Sequence, residues 1–141
     1  MKILYETWKK LIQSMPYVPP ETGGIIGGKS NIILIYQLDN GSSDSNGYDY
    51  YAPDIKMLNT TIANWHKNGF EFYGIFHSHF PGGYTLSYGD RKYIHTIMHS
   101  MPLEIGSLYF PIIFPKENII VYRAEKCDDE VHIVCEKIEI I

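Results

Sequence analysis

The stretch GIFHSHFPGGYTLSYGD, residues 74–90, combines the end of an aromatic-rich predicted strand, a loop with two glycines and the start of a predicted helix. Side chains two positions apart on a strand point to the same face of the sheet. His77 and His79 are therefore predicted to project together, with Ser78 on the opposite side. Two imidazoles on a rigid strand make a good pair of metal ligands, because little conformational entropy remains to be lost on binding.

A third metal ligand must come from elsewhere in the chain, and Asp90 is the candidate. It can reach the histidines if residues 80–86 fold back over the strand end, a reversal that Gly82 and Gly83 permit. Two histidines and one carboxylate leave one position open on a tetrahedral zinc ion, which distinguishes a catalytic zinc site from a structural one. Water at that position has its pKa lowered to about 7.

A hydrolytic metal site also needs a base that takes the proton of the water and passes it to the leaving group. Glu21, in PPETGGIIGG, is the candidate because it precedes a glycine-rich entry into a strand and can lie at a sheet end. The chain has eight other glutamates, so the residues alone do not single out this one.

The rest of the chain predicts alternating helices and strands. Apolar residues at helical spacing in residues 4–15 predict an amphipathic helix that ends before Pro16, and DIKMLNTTIANWHKNG predicts a second helix that ends at a glycine. GGIIGG and NIILIYQL predict two strands joined by a turn at Lys29–Ser30, followed by a polar loop, DNGSSDSNGYD. Three further strands are predicted in GSLYFPIIF, NIIVYRAE and VHIVCEKIEII.

This order of elements, without internal repeats, predicts one α/β domain over residues 1–141, with a single mixed β-sheet flanked by helices. The net charge is −4 and no basic stripe is present, which argues against nucleic acid as a main partner. The chain contains no apolar run suited to a signal peptide or a membrane span. Its two cysteines, predicted to be small buried hydrophobic residues, form no disulfide framework. A cytoplasmic protein that does not bind membranes is therefore expected.

The candidate ligands and base, taken together with Ser87, resemble the motif of the JAB/MPN metallopeptidases in their JAMM-motif form. That motif is a glutamate on an early strand, then His-x-His, seven residues, Ser, two residues and Asp. Here His77 and His79 are followed by seven residues, Ser87, two residues and Asp90, and Glu21 precedes TGGIIGG. The resemblance covers roughly residues 3 to 125, and the short prokaryotic JAB domains are the most similar subgroup. It implies the JAB/MPN (cytidine-deaminase-like) fold.

The resemblance also implies a role for each matching residue. His77, His79 and Asp90 would hold one Zn²⁺ with water as the fourth ligand, and Glu21 would act as general base and acid. Ser87 would donate a hydrogen bond to the developing oxyanion. The implied reaction is zinc-dependent hydrolysis of a peptide or isopeptide bond, at the C-terminus of a ubiquitin-like or sulfur-carrier protein. The family often has proline where this chain has Phe80 and Leu86, both in the loop expected to line the substrate path.

Several alternatives remain open from the residues alone. Ser87 and Asp90 also form an S-x-x-D capping box, which needs no metal. His95 and His99 lie one helical turn apart, but Thr96 stands where the metalloprotease helix motif requires glutamate, so surface positions are expected for both. At the level of function, a non-catalytic JAB/MPN scaffold is the main alternative. A non-haem iron oxygenase is a further one, although its carboxylate usually lies closer to a histidine.

Overall fold

Eight strands and three helices make up the described part of the chain. The structure, a computed structural model, describes residues 1–16, 21–39, 53–79 and 85–141. In chain order the elements are β1 (Lys2–Ile3), α1 (Tyr5–Ser14), β2 (Gly23–Lys29), β3 (Ile32–Asp39), α2 (Ile55–Lys67), β4 (Glu71–Ser78), α3 (Tyr88–Ser100), β5 (Ser107–Phe114), β6 (Asn118–Cys127), β7 (Glu130–Glu136) and β8 (Glu139–Ile140). The predicted polar loop falls mainly in residues 40–52 and so lies outside the described residues.

All eight strands belong to one mixed sheet, in the order β7-β6-β5-β4-β2-β3-β1-β8. β4, which carries the two histidines, lies near the middle of the sheet, antiparallel to β2 and parallel to β5. The predicted α/β class, with a single mixed sheet flanked by helices, is confirmed. A central strand is held on both sides by ladder hydrogen bonds, so β4 gives its side chains a rigid base.

Neighbouring residues of β4 face two separate hydrophobic clusters. Ile75 belongs to a cluster with Leu58 of α2 and Ile94 of α3. Phe76, which has no exposed surface, belongs to a second cluster with Leu11 of α1. Helices α2 and α3 therefore cover one face of the sheet and α1 covers the other. Full burial of a side chain such as Phe76 contributes about 1.5–3 kcal/mol to folding.

The first two helices end where the sequence predicts. α1 stops at Ser14, and Met15 directly before Pro16 is already extended. α2 is preceded by Asp54, whose side chain accepts a hydrogen bond from the Met57 amide at 3.2 Å. The chain after α2 reverses at Gly69, which has a φ of +80° that glycine adopts without steric cost.

The C-terminal strand prediction was wrong in one respect. VHIVCEKIEII forms two strands, β7 and β8, at opposite edges of the sheet. Only residues 137–138 separate them, and an extended chain spans at most about 3.6 Å per residue, so the two edges must lie close together. The Met1 ammonium group accordingly donates to the Lys137 carbonyl at 3.3 Å. The sheet is therefore curled, and α1 lies inside the curl.

The curl also explains how α1 contacts both halves of the sheet. The Thr7 hydroxyl donates to the Leu34 carbonyl of β3 at 2.9 Å, whereas the Ile12 carbonyl accepts from the Lys116 amide, between β5 and β6, at 2.9 Å.

The prediction that both cysteines are buried was wrong. Cys127, the last residue of β6, is partly exposed. Cys135 is exposed on β7, because one face of this edge strand is open to solvent.

The hairpin of β2 and β3 sets the register around the histidines. Its turn lies at Ser30–Asn31, one residue later than predicted, and both residues have positive φ values of 51° and 62°. Positive φ at both central residues is typical of the two-residue hairpin turn whose twist matches the strands. The resulting register pairs Gly23 with Asp39 on one side and with His77 on the other.

No helix within the described residues is both long and apolar enough to cross a membrane.

Candidate metal centre

His77 and His79 project from the C-terminal end of β4 toward the same point. His77 pairs with Gly23 of β2 and with Ile112 of β5, and the His79 amide donates to the Ile113 carbonyl at 3.0 Å. Both histidines are buried, with 6% and 7% of their surface exposed. Their Nε2 atoms are 2.9 Å apart. The predicted common orientation of the two imidazoles is therefore confirmed.

Asp90 reaches both imidazoles from the first turn of α3. Its Oδ1 lies 3.2 Å from His77 Nε2, and its Oδ2 lies 3.1 Å from His79 Nε2. Partial burial acts to raise the pKa of the Asp90 carboxyl, but hydrogen bonds from the two imidazoles outweigh burial and hold this pKa well below its usual value. The carboxyl is thus an anion at neutral pH. The sequence prediction that Asp90 meets the histidine pair is confirmed.

Ser87 and Asp90 also form the predicted capping box at the start of α3. Ser87 Oγ accepts from the Asp90 amide at 3.0 Å, and Asp90 Oδ2 accepts from the Ser87 amide at 2.9 Å. Capping and contact with the histidines occur together, because the cap fixes the first turn of α3 in the position from which Asp90 reaches β4. In this cap the Ser87 hydroxyl is a hydrogen-bond acceptor, so it can still donate a hydrogen bond to another group.

We expect the Ser87→Ala change to lower the free energy of unfolding by about 1 kcal/mol, since removal of an N-cap side chain typically costs 0.5–2 kcal/mol. Urea denaturation measures this difference. Ser87→Gly serves as the matched variant, because glycine at an N-cap costs only a few tenths of a kcal/mol. Equal stability of wild type and Ser87→Ala would contradict the capping role.

Glu21 approaches the histidine pair from the segment directly before β2. Its carboxylate and one ring nitrogen of each histidine all lie within 4.8 Å of one another. The next residue, Thr22, fixes this position, since its carbonyl accepts from the Ser78 amide at 2.7 Å. The structure thus brings together all four groups that the sequence singled out as ligands or base: Glu21, His77, His79 and Asp90.

The spacing of the donor atoms fits a small divalent metal ion. With zinc–nitrogen bonds of 2.0–2.1 Å in a tetrahedron, neighbouring donor atoms lie about 3.3 Å apart. The two imidazole nitrogens lie 2.9 Å apart, and the Asp90 oxygens lie 3.2 and 3.1 Å from His77 Nε2 and His79 Nε2, distances close to this value. Imidazole nitrogen and carboxylate oxygen are both common zinc ligands. The cluster of Glu21, His77 and His79 could therefore hold a metal ion.

Other sequence predictions around the site have mixed outcomes. His95 and His99 are both exposed on α3, as expected. Leu86, at the end of the loop expected to line the substrate path, is 7% exposed and belongs to the same hydrophobic cluster as Ile94. Its buried apolar side chain anchors the chain directly before the α3 cap. Phe80 lies outside the described residues.

The sequence analysis missed one buried acid at the end of β3. Asp39 is 2% exposed, and its Oδ2 accepts from the Asp54 amide at 2.8 Å, which ties the end of β3 to the start of α2. The sequence places it at the beginning of a polar loop, where a solvated aspartate is the default expectation. Only the pairing of Asp39 with Gly23, a tertiary feature, distinguishes it from the loop residues that follow.

Comparison with known proteins identifies a similar fold but gives no information on the chemistry of the site. No protein-family model matches the chain, and no curated protein matches it in sequence. Among solved structures, the chain is similar to protein DSY2949 from Desulfitobacterium hafniense, a structural-genomics target determined in solution. The TM-score is 0.67 at 19% identity, over 100% of this chain and 93% of the other. At this identity the likeness shows that the two chains share a fold.

Proposed function

We propose that the protein is a zinc-dependent hydrolase of the JAMM type that cleaves a peptide or isopeptide bond. One observation carries the proposal: two buried imidazoles and the Asp90 carboxylate converge at 2.9–3.2 Å, with the Glu21 carboxylate close by. In this proposal the domain has the JAB/MPN fold. The order of helix, strand pair, helix, histidine strand and helix supports that assignment.

His77, His79 and Asp90 would hold the zinc ion. Asp90 is the better choice of carboxylate ligand, because its oxygens lie about as far from each imidazole nitrogen as the two nitrogens lie from one another. A bound zinc ion supplies Lewis acidity, which lowers the pKa of a coordinated water to about 7 and polarises a carbonyl.

Glu21 would act as the general base and then as the general acid. Its carboxylate lies beside the histidines and can accept the proton of the attacking water, then donate that proton to the leaving amine. Thr22 holds the backbone next to this carboxylate against β4, which limits its movement. A fixed carboxylate of this kind contributes roughly 10²–10⁴-fold to the rate.

Ser87 would donate a hydrogen bond from its hydroxyl group to the oxyanion that develops on the scissile carbonyl. The residue is exposed at the N-terminus of α3, and the backbone amide of Asp90 already fixes the position of its oxygen. Removal of one such donor typically costs about 10²–10³-fold in kcat. The backbone of α3 adds a favourable dipole, because the helix N-terminus carries partial positive charge.

The substrate class in this proposal is a ubiquitin-like or sulfur-carrier protein joined through its C-terminus. The test is a panel of such carriers with C-terminal extensions, made as linear fusions and as lysine isopeptides, incubated with the zinc-loaded protein. Intact mass spectrometry should show cleavage directly after the carrier's C-terminal residue, with none in the Glu21→Gln variant. Zinc-loaded wild type that cleaves no member of the panel would favour the scaffold reading.

A further inference from the structure

We infer that Ser78, the residue between the two histidines, is a positioning residue that fixes Glu21 through the backbone of Thr22. The inference rests on the proposed function for its catalytic consequence, but the contact itself belongs to the metal-free fold. The Thr22 amide donates to Ser78 Oγ at 2.9 Å, and the Ser78 amide donates to the Thr22 carbonyl at 2.7 Å. Two hydrogen bonds therefore join the neighbour of Glu21 to the histidine strand.

The pairing of these two residues departs from a regular ladder. In an antiparallel sheet, a hydrogen-bonded pair exchanges two backbone bonds, each from an amide to the opposite carbonyl. The first bond is present, from the Ser78 amide to the Thr22 carbonyl. For the second, the Thr22 amide donates to the side-chain hydroxyl of Ser78. The hydroxyl thus replaces a backbone carbonyl at the point where β2 begins, and the chain leaves the ladder with Glu21 beside the imidazoles.

Ser78 acts only through its neighbours. It has no exposed surface and pairs with Ile113, which belongs to the cluster around α1, whereas His77 pairs with Ile112 on the opposite face. The hydroxyl therefore points away from the imidazole nitrogens and from any substrate. A buried hydroxyl in this position stabilises the fold only through the hydrogen bond that it makes, since burial of an unsatisfied polar group lowers the free energy of unfolding.

Loss of this hydroxyl should redirect the Thr22 amide. In Ser78→Ala the nearest replacement acceptor in a regular ladder is the backbone carbonyl of residue 78, so β2 would extend by one residue and carry Glu21 with it. Small displacements of a catalytic group cost up to about 10²-fold in rate. Changes in residues that orient active groups at metal sites typically cost about 10–100-fold.

The test measures kcat, KM and zinc content for Ser78→Ala, Ser78→Thr and the control Thr7→Val. Each protein is loaded with zinc, and the substrate is a carrier fusion that the wild type cleaves. Thr7 is a matched control because its buried hydroxyl also bonds to backbone, at Leu34 in the middle of β3. We expect Ser78→Ala to lower kcat about 10–100-fold with KM and zinc content unchanged. Ser78→Thr keeps the hydroxyl and should restore kcat, and Thr7→Val should leave it at the wild-type value.

A second measurement needs neither zinc nor substrate. Amide hydrogen exchange on the metal-free protein should show the Thr22 amide protected in wild type and in Thr7→Val, and exchanging faster in Ser78→Ala. A kcat for Ser78→Ala equal to that of Thr7→Val, or an unchanged Thr22 exchange rate, would overturn the inference. Failure of wild type to bind zinc would instead overturn the proposed function and leave the exchange result to decide the contact.

Discussion

Glu21→Gln is expected to fold, to bind zinc like wild type and to lose hydrolysis by roughly 10²–10⁴-fold, the range for removal of a general base. Glutamine has nearly the same shape as glutamate but cannot take a proton from water at neutral pH. The carboxylate lies within 4.8 Å of both imidazole nitrogens, so the change affects the reacting centre directly. Steady-state cleavage of a carrier fusion, together with zinc content and thermal melting, measures all three properties.

Glu104→Gln is the control, because Glu104 is exposed in the segment after α3. It should retain full activity. If Glu21→Gln hydrolyses the fusion as fast as Glu104→Gln, then Glu21 is not the base and another group must accept the proton. If Glu21→Gln loses zinc as well as activity, then Glu21 is a metal ligand and the assignment of Asp90 as the third ligand must be revised.

Asp90→Asn is expected to weaken zinc binding by more than about 100-fold, beyond the range for groups that only orient ligands. Asparagine can still accept the hydrogen bond from the Ser87 amide, so the helix cap is largely retained while the anionic ligand is lost. Zinc affinity measured by competition with a chelator gives the result. At a zinc concentration of 100 times Kd, wild type should gain about 2.7 kcal/mol of stability, which the variant should not gain.

Ser87→Ala tests the capping role of the α3 N-terminus separately from its metal-binding role. This change removes the cap acceptor but leaves all three proposed ligands, so zinc binding should persist while stability falls. The two variants, three positions apart in the same capping box, therefore distinguish a metal ligand from a helix cap. Asp90→Asn with wild-type zinc affinity would show that Asp90 serves only as a cap.

Most of the candidate site could be predicted from residues 74–90 because its geometry is local. Strand alternation alone aims His77 and His79 at one point, and the S-x-x-D pattern alone starts a helix at Ser87. The meeting of Asp90 with the histidines needed one further condition, a loop that folds back. The glycines at positions 82 and 83 indicated that this reversal is possible.

Features that depend on distant pairing could not be predicted in the same way. Glu21 lies beside the histidines only because β2 runs antiparallel to β4 in a register that pairs Gly23 with His77. Asp39, at the end of β3, pairs with the same Gly23 from the other side of β2 and is buried. No tight turn joins β2 to β4, so the local sequence does not fix the register between these two strands. The choice of Glu21 among nine glutamates therefore rested on a resemblance and not on the residues.

The C-terminal region illustrates a different limit. Residues 131–141 read as one strand because apolar residues recur throughout the stretch, but the sheet is curled and the chain changes edge after Glu136. A pattern with a period of two residues cannot report curvature, which arises from the twist of the whole sheet.

The measurement that tests the central claim most directly is the metal content of the purified wild-type protein by elemental analysis, beside the double variant with His77→Ala and Asp90→Ala. The account predicts about one zinc per chain in wild type, as a site with three protein ligands and one open position requires, and none in the double variant. A wild-type protein that contains no zinc and takes up none, or that holds redox-active iron at this site, would contradict it.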